Sequence, residues 1–370
     1  MILVLTNPTD AHAFFVQAGL RRKGSQAVLW HTADFPRLQC ATIETGGGAE
    51  GARWRIQGPG IEAGWPAPEA VWFRRPVAPI LPEGVNAADR LWASAECSAL
   101  LRSLSVFLGS SFSLNPPVEA ARSASKPYQQ TVAGNVGLTV PRTLYTNEPH
   151  RIRQLLTALR GRMIYKPFTQ LGTWKLDDGR AAILYTTLLT SENLPPDEIL
   201  QATPGIYQEL VPKAYELRVT VIGDHVFPVK IPSQGIRNAE LDWRRNPREL
   251  RMERVEIAAD LERALLRLMR QMGLLFGCID MIVTPEGEHV FLEVNEMGQF
   301  LFVEDLAGLP LLDAFCEMLI QKRRDFLWSP TSAALRKTEL EDEARSAFEE
   351  ARQHHLMPPE PFVPDSPSLD

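Results

Sequence analysis

Short, unbroken apolar runs set apart by stretches of helical spacing open the chain. Residues 2–5 are apolar throughout, 11–23 place apolar side chains at helical intervals, and 27–30 form a second apolar run. This order predicts a βαβ unit with parallel strands. Residues 40–70, rich in Gly, Pro and Ala, predict a loop or an insertion of short strands. Ala70-Val71-Trp72-Phe73 then resumes a strand that runs into Arg74-Arg75-Pro76. Residues 86–108 read as helical. Asn115-Pro116-Pro117 interrupts the chain, since proline lacks an amide donor and fixes φ. A helix is expected over 120–136, ended by Gly137-Leu138-Thr139-Val140-Pro141.

Farther on, short strands alternate with a helix at 149–160 across 143–203, and longer strands separated by a helix at 259–274 fill 206–302. No segment repeats another. The expected domains are 1–117, 118–205 and 206–325, followed by a tail over 326–370 with one charged helix at 338–354. The last dozen residues, dominated by prolines and acids, have too little apolar surface to order alone and are expected to be mobile.

With 370 residues, the chain can bury a sizeable core in two or three domains. Its formal charge of −6, from 39 basic and 45 acidic residues, argues against a general grip on nucleic acid and favours a small molecule or a peptide. Cys40, Cys97, Cys278 and Cys316 are widely spaced without a CxxC pair, so they read as reduced, buried thiols rather than a zinc or disulfide framework. The N-terminus lacks a basic segment and a small-residue cleavage site, and no run approaches the roughly 18 apolar residues of a membrane span. A cytoplasmic location with no membrane partner is expected. The turn Asn7-Pro8-Thr9-Asp10 lacks GxGxxG, so no dinucleotide is expected. The seven histidines are scattered without HExxH spacing.

The sharpest local signal is a hairpin from Gly277 to Asn295. A four-residue turn at Pro285-Glu286-Gly287-Glu288 would set Asp280 opposite Glu293 and Ile282 opposite Phe291. Ile279, Met281, Val283, Val290, Leu292 and Val294 would then form an apolar face, with Asp280, Glu293 and Asn295 on the other. Directly opposed carboxylates destabilise a sheet unless a cation lies near. Two carboxylates and an amide suit hard Mg²⁺, which takes phosphate oxygens for its remaining positions. The other reading is a solvated hairpin whose acids pair with neighbouring Arg or Lys.

Asp280, Glu293 and Asn295 resemble the D…ExN metal set of ATP-grasp enzymes. Asn115-Pro116-Pro117, Lys126, Gly137-Leu138-Thr139-Val140-Pro141, Tyr165-Lys166-Pro167, Gln208-Glu209-Leu210-Val211 and Glu216-Leu217-Arg218-Val219 precede them in that family's order. The resemblance spans roughly residues 110–320. It implies an α/β (α+β), three-domain ATP-grasp fold with a Rossmann-like pre-ATP-grasp domain at the N-terminus, and ATP and Mg²⁺ as cofactors. By the family pattern, Lys126 and Lys166 contact phosphates, and Gln208, Glu209, Leu210 and Val211 form the hinge that meets the adenine. Glu216 takes the ribose hydroxyls, and Arg218, helped by Lys230, meets the γ-phosphate. Asp280, Glu293 and Asn295 hold the metal, with Asn295 also counted among the catalytic residues. A flap around Gly172 closes over the phosphates. Each residue also has an ordinary structural reading, as a solvated or strand-end charge.

Val71-Trp72-Phe73-Arg74-Arg75-Pro76 and Leu241-Asp242-Trp243-Arg244, with Ala33-Asp34-Phe35-Pro36 as a third mark, are similar to the microviridin-type, or graspetide, peptide cyclases. That likeness implies activation of Asp or Glu side chains of a ribosomally made precursor as acyl phosphates, and their closure onto Ser, Thr or Lys as esters or amides. The partner is then a precursor peptide with a leader and an acidic core, and a homodimer is possible, although no heptad or apolar stripe in the sequence shows how. Arg74, Asp242 and Arg244 are the candidate substrate residues. Arg75 reads better as a surface charge, and Trp72 and Trp243 as packing residues. The alternatives are a ligase that adds amino acids to a peptide or protein C-terminus, which the tryptophan motifs argue against, and an ATP-binding regulator without chemistry.

Overall fold

The computed structural model describes residues 1–46, 53–64, 66–169, 174–175, 181–182, 185–246 and 249–358. Gly172 with the expected flap around it, and the last dozen residues, lie outside these.

The opening unit forms as its pattern predicts. Helix Ala11–Arg22 joins the parallel strands Ile2–Thr6 and Ala27–His31, and Ala70–Phe73 and Phe112–Leu114 extend the sheet on the far side of the first strand. The first strand is buried along its whole length because both faces of the sheet are covered. Ile2 and Val4 pack toward Phe14 and Phe315, while Leu3 and Leu5 pack with Trp54, Ile56 and Leu104 on the other face. Residues 40–70 hold a three-stranded antiparallel sheet, Cys40–Glu44, Arg53–Gly58 and Ile61–Gly64. In its middle strand Trp54 and Ile56 are buried between exposed Arg53, Arg55 and Gln57, the alternation of a sheet with one wet face.

The helix expected over 120–136 is two helices, Pro117–Ser123 and Lys126–Asn135. Pro127 is the cause: a proline is tolerated in a first turn but would clash with the carbonyl four residues back in a continuous helix. The helix therefore restarts at Lys126.

A four-stranded antiparallel sheet runs in the order Thr187–Thr190, Arg162–Lys166, Gly205–Glu209, Thr143–Thr146, and helix Pro149–Ala158 covers it with Ile152, Leu155 and Leu156. A five-stranded sheet follows, in the order Glu253–Arg254, His225–Ile231, Tyr215–Ile222, Phe276–Val283, His289–Asn295. Leu217, Val219, Ile279, Met281, Phe291 and Val294 face helices Lys126–Asn135 and Ala259–Gln271. Each such buried side chain contributes about 1.5–3 kcal/mol of transfer free energy. The other face of this sheet is polar in its middle.

The hairpin keeps the expected pairing of Asp280 with Glu293 by a different route. The Thr284 amide donates to the Glu288 carbonyl (2.9 Å), so the turn is the three residues Pro285-Glu286-Gly287, with Gly287 at φ +87°. A short turn ending on a left-handed glycine suits a hairpin. The register is thereby one residue off the expected one, and Ile282 faces Val290 rather than Phe291. A bulge at Leu292 then restores the expected register at Asp280. Phe291, not Leu292, joins the apolar face, and Leu292 turns with Glu293 toward the polar side.

Lys337–Leu340 and helix Glu341–His354 close the described chain. The helix packs on Ala11–Arg22, with Ala344 and Ala351 buried and the Phe348 ring edge-on to Phe14 at 5.5 Å. Asp34 receives the tail, accepting hydrogen bonds from His355 Nδ1 (2.6 Å), the Leu356 amide (2.8 Å) and Gln39 Nε2 (3.2 Å). The four cysteines are free thiols; Cys278 and Cys316 are buried as expected, but Cys40 is exposed.

Candidate active site

A cleft of about 330 Å³ opens where the polar middle of the five-stranded sheet meets the ends of strands Arg162–Lys166 and Gly205–Glu209. Its lining includes Lys126, Lys166, Gln208, Glu209, Leu210, Val211, Glu216, Arg218, Asp242, Arg244, Asp280, Glu293 and Asn295. Residues far apart in sequence and separately expected to matter thus share one space. Arg74 and Lys230 are outside it.

Strand geometry builds the acidic wall. Glu216 and Arg218, two residues apart, project from the same side of Tyr215–Ile222, and Arg218 pairs across the sheet with Asp280, itself opposite Glu293. Arg218 donates through Nη1 to both carboxylate oxygens of Asp280 (2.8 and 2.7 Å) and through Nη2 to the Gln299 carbonyl (3.2 Å). Lys126, the first residue of its helix, donates to Glu293 Oε2. Each acid thus has a protein cation beside it. Burial would raise the Glu293 carboxyl, but Lys126 and then Lys166 hold it below the ordinary range. Burial raises Asp280, and Arg218 offsets this only in part.

The neighbouring side chains are held as firmly. Glu216 Oε1 accepts from Lys213 Nζ (2.8 Å) and Ser233 Oγ (3.0 Å), and its burial raises its pKa. Lys166 Nζ donates to Gln208 Oε1 (2.9 Å), and Gln208 in turn donates to Thr143 Oγ1 (2.8 Å). Burial draws Lys166 down to about 8, against the pull of Glu293. Asp242 is buried and binds Arg244 through both carboxylate oxygens (2.8 and 2.7 Å), so Arg244 reaches the cleft with only Nη1 unengaged among the described residues. Burial opposes ionisation of Asp242, but Arg244 holds its pKa down at about 2.

Two expectations fail. Lys230 pairs with Leu217, whose side chain is in the apolar core, so Lys230 projects from the face opposite Arg218 and lies over the Tyr215 ring at 4.9 Å. The two-residue turn Gly223-Asp224 fixes that parity, with Ile222 opposite His225. Arg74 has no exposed surface: Nε donates to Asp10 (2.9 Å) and Nη1 to the Met297 carbonyl. Fully buried, it is not placed to clamp a substrate. Its neighbour Arg75 is exposed, as the surface-charge reading has it, and also lines the cleft, where its side chain has no partner among the described residues. Trp243 also lines the cleft, stacked on Phe302 at 6.0 Å, while Trp72 is buried as expected.

Three further residues support the cleft, and two of them, Gln129 and His12, carried no motif. Gln129 donates to the carbonyls of Ser123 (2.7 Å) and Val294 (2.8 Å) and accepts from the Val294 amide (2.8 Å), which fixes the hairpin strand beside Glu293. Asn115 donates to the carbonyls of Phe276 (2.8 Å) and Glu296 (2.9 Å) and accepts from the amides of Leu275 and Phe276 (2.8 and 2.9 Å). His12, kept neutral chiefly by burial, accepts at Nε2 from the amides of Phe300 (3.2 Å) and Leu301 (3.3 Å). Only Asn115 had a signal, its place before two prolines.

Asp280, Glu293 and Asn295 offer oxygen donors on one wall, the donor chemistry of a hard divalent cation, and Asn295 is exposed there. Among the described residues no cluster of three or more His, Cys, Asp or Glu side chains fits a metal, so a cation at this wall depends on the Asn295 amide, water and ligand oxygens.

No family model matches the chain, and no curated protein sequence does. Solved structures do match. The macrocyclase MdnC of Microcystis aeruginosa MRC, bound with precursor peptide MdnA, is 30% identical, with a TM-score of 0.75 over 87% of this chain and 99% of that one. A RiPP-associated ATP-grasp ligase of Chryseobacterium gregarium, in complex with ADP and a leader and core peptide, is 25% identical, with a TM-score of 0.77 over 88% and 98%. The ATP-grasp ligase PsnB, complexed with a phosphomimetic variant of a minimal precursor, Mg and ADP, is 26% identical, with a TM-score of 0.66 over 87% and 98%.

Proposed function

This chain belongs to the graspetide-type ATP-grasp ligases, and we propose that it activates Asp or Glu side chains of a ribosomally made precursor peptide and closes them onto hydroxyl or amino side chains of the same peptide. It is an ATP-dependent ligase. The observation that carries the finer reading is the cleft wall on which Asp280, Glu293 and Asn295 stand together, with Lys126, Lys166 and Arg218 around them.

A peptide carboxylate oxygen attacks the γ-phosphorus, ADP leaves, and an acyl phosphate forms. The peptide's own hydroxyl or amine then attacks the carbonyl carbon, loses its proton and expels inorganic phosphate. The product is the peptide less one water per bond. Such transfers need positioning and charge neutralisation more than a protein nucleophile. Lys126 and Lys166 hold phosphates as point charges. Backbone groups of Glu209 and Val211 meet the adenine, Glu216 takes the ribose, and Arg218 stabilises charge on the transferring group. Asp280, Glu293 and Asn295 would hold Mg²⁺, which supplies charge neutralisation at the phosphates. Among the described residues lining the cleft, Arg75 and the free Nη1 of Arg244 are cations left for a substrate carboxylate.

The test is to incubate the protein with Mg·ATP and candidate precursor peptides and follow peptide mass. Loss of one water per bond supports cyclisation. Gain of a residue mass instead means amino-acid addition, and tight ATP binding without any mass change means a regulator. Glu293→Gln should abolish the mass change and leave the thermal melt in place; wild-type turnover removes Glu293 from its role.

A further inference from the structure

The parallel sheet that opens the fold has its strand ends occupied. In open sheets of this kind, ligands settle beyond the carboxyl ends of the strands. Here Asp10 and His12 follow Ile2–Thr6, Arg74 follows Ala70–Phe73, and Asn115 follows Phe112–Leu114. All but Asp10 reach across to the segment after Asn295, which joins the hairpin to helix Leu301–Ala307. Asn295, Met297 and Gln299 are exposed, as in an ordinary surface loop, yet the backbone here is held at successive points. Asn115 donates to the Glu296 carbonyl (2.9 Å), Arg74 to that of Met297, and Arg218 to that of Gln299 (3.2 Å). His12 accepts from the amides of Phe300 and Leu301.

Among these anchors Arg74 bears on the cleft through Met297. The Met297 amide donates to Asn295 Oδ1 (3.2 Å) and the Gly298 amide to the Asn295 carbonyl (3.1 Å), so a local turn orients the Asn295 side chain. Arg74 holds the same Met297 by its carbonyl. Behind Arg74, Asp10 Oδ2 accepts from Nε (2.9 Å) and from Thr6 Oγ1 (3.2 Å), and the guanidinium lies over the Trp72 ring at 5.6 Å. The whole side chain is buried, and Nη2 has no partner among the described residues. Packing alone would be served by an apolar side chain, since burying a guanidinium with a donor unmet is costly. What the forked group adds is a link from Asp10 to the Met297 carbonyl.

We infer that Arg74 is a positioning residue of the metal wall: through the Met297 carbonyl it fixes the turn that orients the Asn295 amide in the cleft. Arg74 itself lies outside the cleft lining. The inference rests on the cation role proposed for Asn295.

The test is calorimetry of ADP binding to the full chain, with Mg²⁺ and in EDTA. Arg74→Lys keeps a cation beside Asp10 but has no second arm for Met297. With Mg²⁺ it should weaken ADP binding about tenfold, the lower end of what outer contacts of a metal site contribute, and it should leave binding in EDTA unchanged. Asn295→Ala should show the same metal-specific loss. Adding Arg74→Lys to it should weaken binding no further, because the two residues act through one contact. An equal loss in EDTA, no loss at all, or losses that add in the double variant would each overturn the inference and leave the metal role of Asn295 standing. An Asn295→Ala protein that keeps its full Mg²⁺ dependence would overturn that role and the inference together. If Arg74→Lys is unfolded at the assay temperature, Asp10→Asn, which preserves the shape of the pair and removes its negative charge, carries the same expectations and the same refutations.

Discussion

Lys166 shows how one buried side chain ties chemistry to pH. Its burial lowers its pKa to about 8. In the role proposed for it, the ammonium is the form that would hold phosphate, so that capacity is present below this value and is lost as pH rises through it. The apparent kcat/KM for ATP should therefore fall on the alkaline side with a free-enzyme pKa of about 8. Lys166→Arg, which stays protonated, should lose that limb. Persistence of the limb in the variant would assign it to another group. Arg75 gives a second prediction at this scale. Its backbone is fixed by the Leu5 carbonyl and by Asn7 Nδ2, yet its side chain in the cleft is unpaired among the described residues. Arg75→Ala should raise the KM for an acidic precursor peptide about tenfold, roughly the 1.4 kcal/mol expected of one charge-assisted contact, and leave the KM for ATP unchanged. Equal effects on both would remove the substrate role. Sequence alone ranked Arg74 above Arg75 because a strand buried on both faces gives no parity cue at its exit. Lys230 was more tractable, since the two-residue turn at Gly223-Asp224 already places it opposite Leu217.

Among the elements, the hairpin was the most legible. Alternation of acids with apolar residues put Asp280 opposite Glu293, and the structure has that pairing. The route was less legible, because a glycine-ended three-residue turn and a bulge at Leu292 offset one another, and a bulge leaves no mark in a period-two pattern. The support from the side was also hidden. Gln129 is one polar residue on a helix, and only the fold brings it to Val294. Gln129→Ala should cost about 2 kcal/mol in urea unfolding, because Val294 keeps a buried amide and carbonyl without partners. A loss under 0.5 kcal/mol would mean that water or relaxation replaces the side chain. The helix break at Pro127 belongs to the same scale: it was readable from proline chemistry, and it brings Lys126 to a helix start beside Glu293.

For the whole molecule, order of motifs along the chain was enough to anticipate the shared cleft, since the separate sheets converge on residues expected from sequence. The placing of the tail was not, as an amphipathic helix at 338–354 fits a body or a partner equally well. It sits on helix Ala11–Arg22, and Leu340 is fully buried there. Leu340→Ala should lower stability by about 3 kcal/mol and the melting temperature with it. An unchanged melt would show that the tail docks without contributing to the fold. The same packing has a consequence for synthesis. Synthesis runs from the N-terminal side, so Phe14 and its neighbours emerge well before the helix Glu341–His354 that covers them. Until that helix follows, the nascent protein carries an uncovered apolar face, a surface for chaperones to hold.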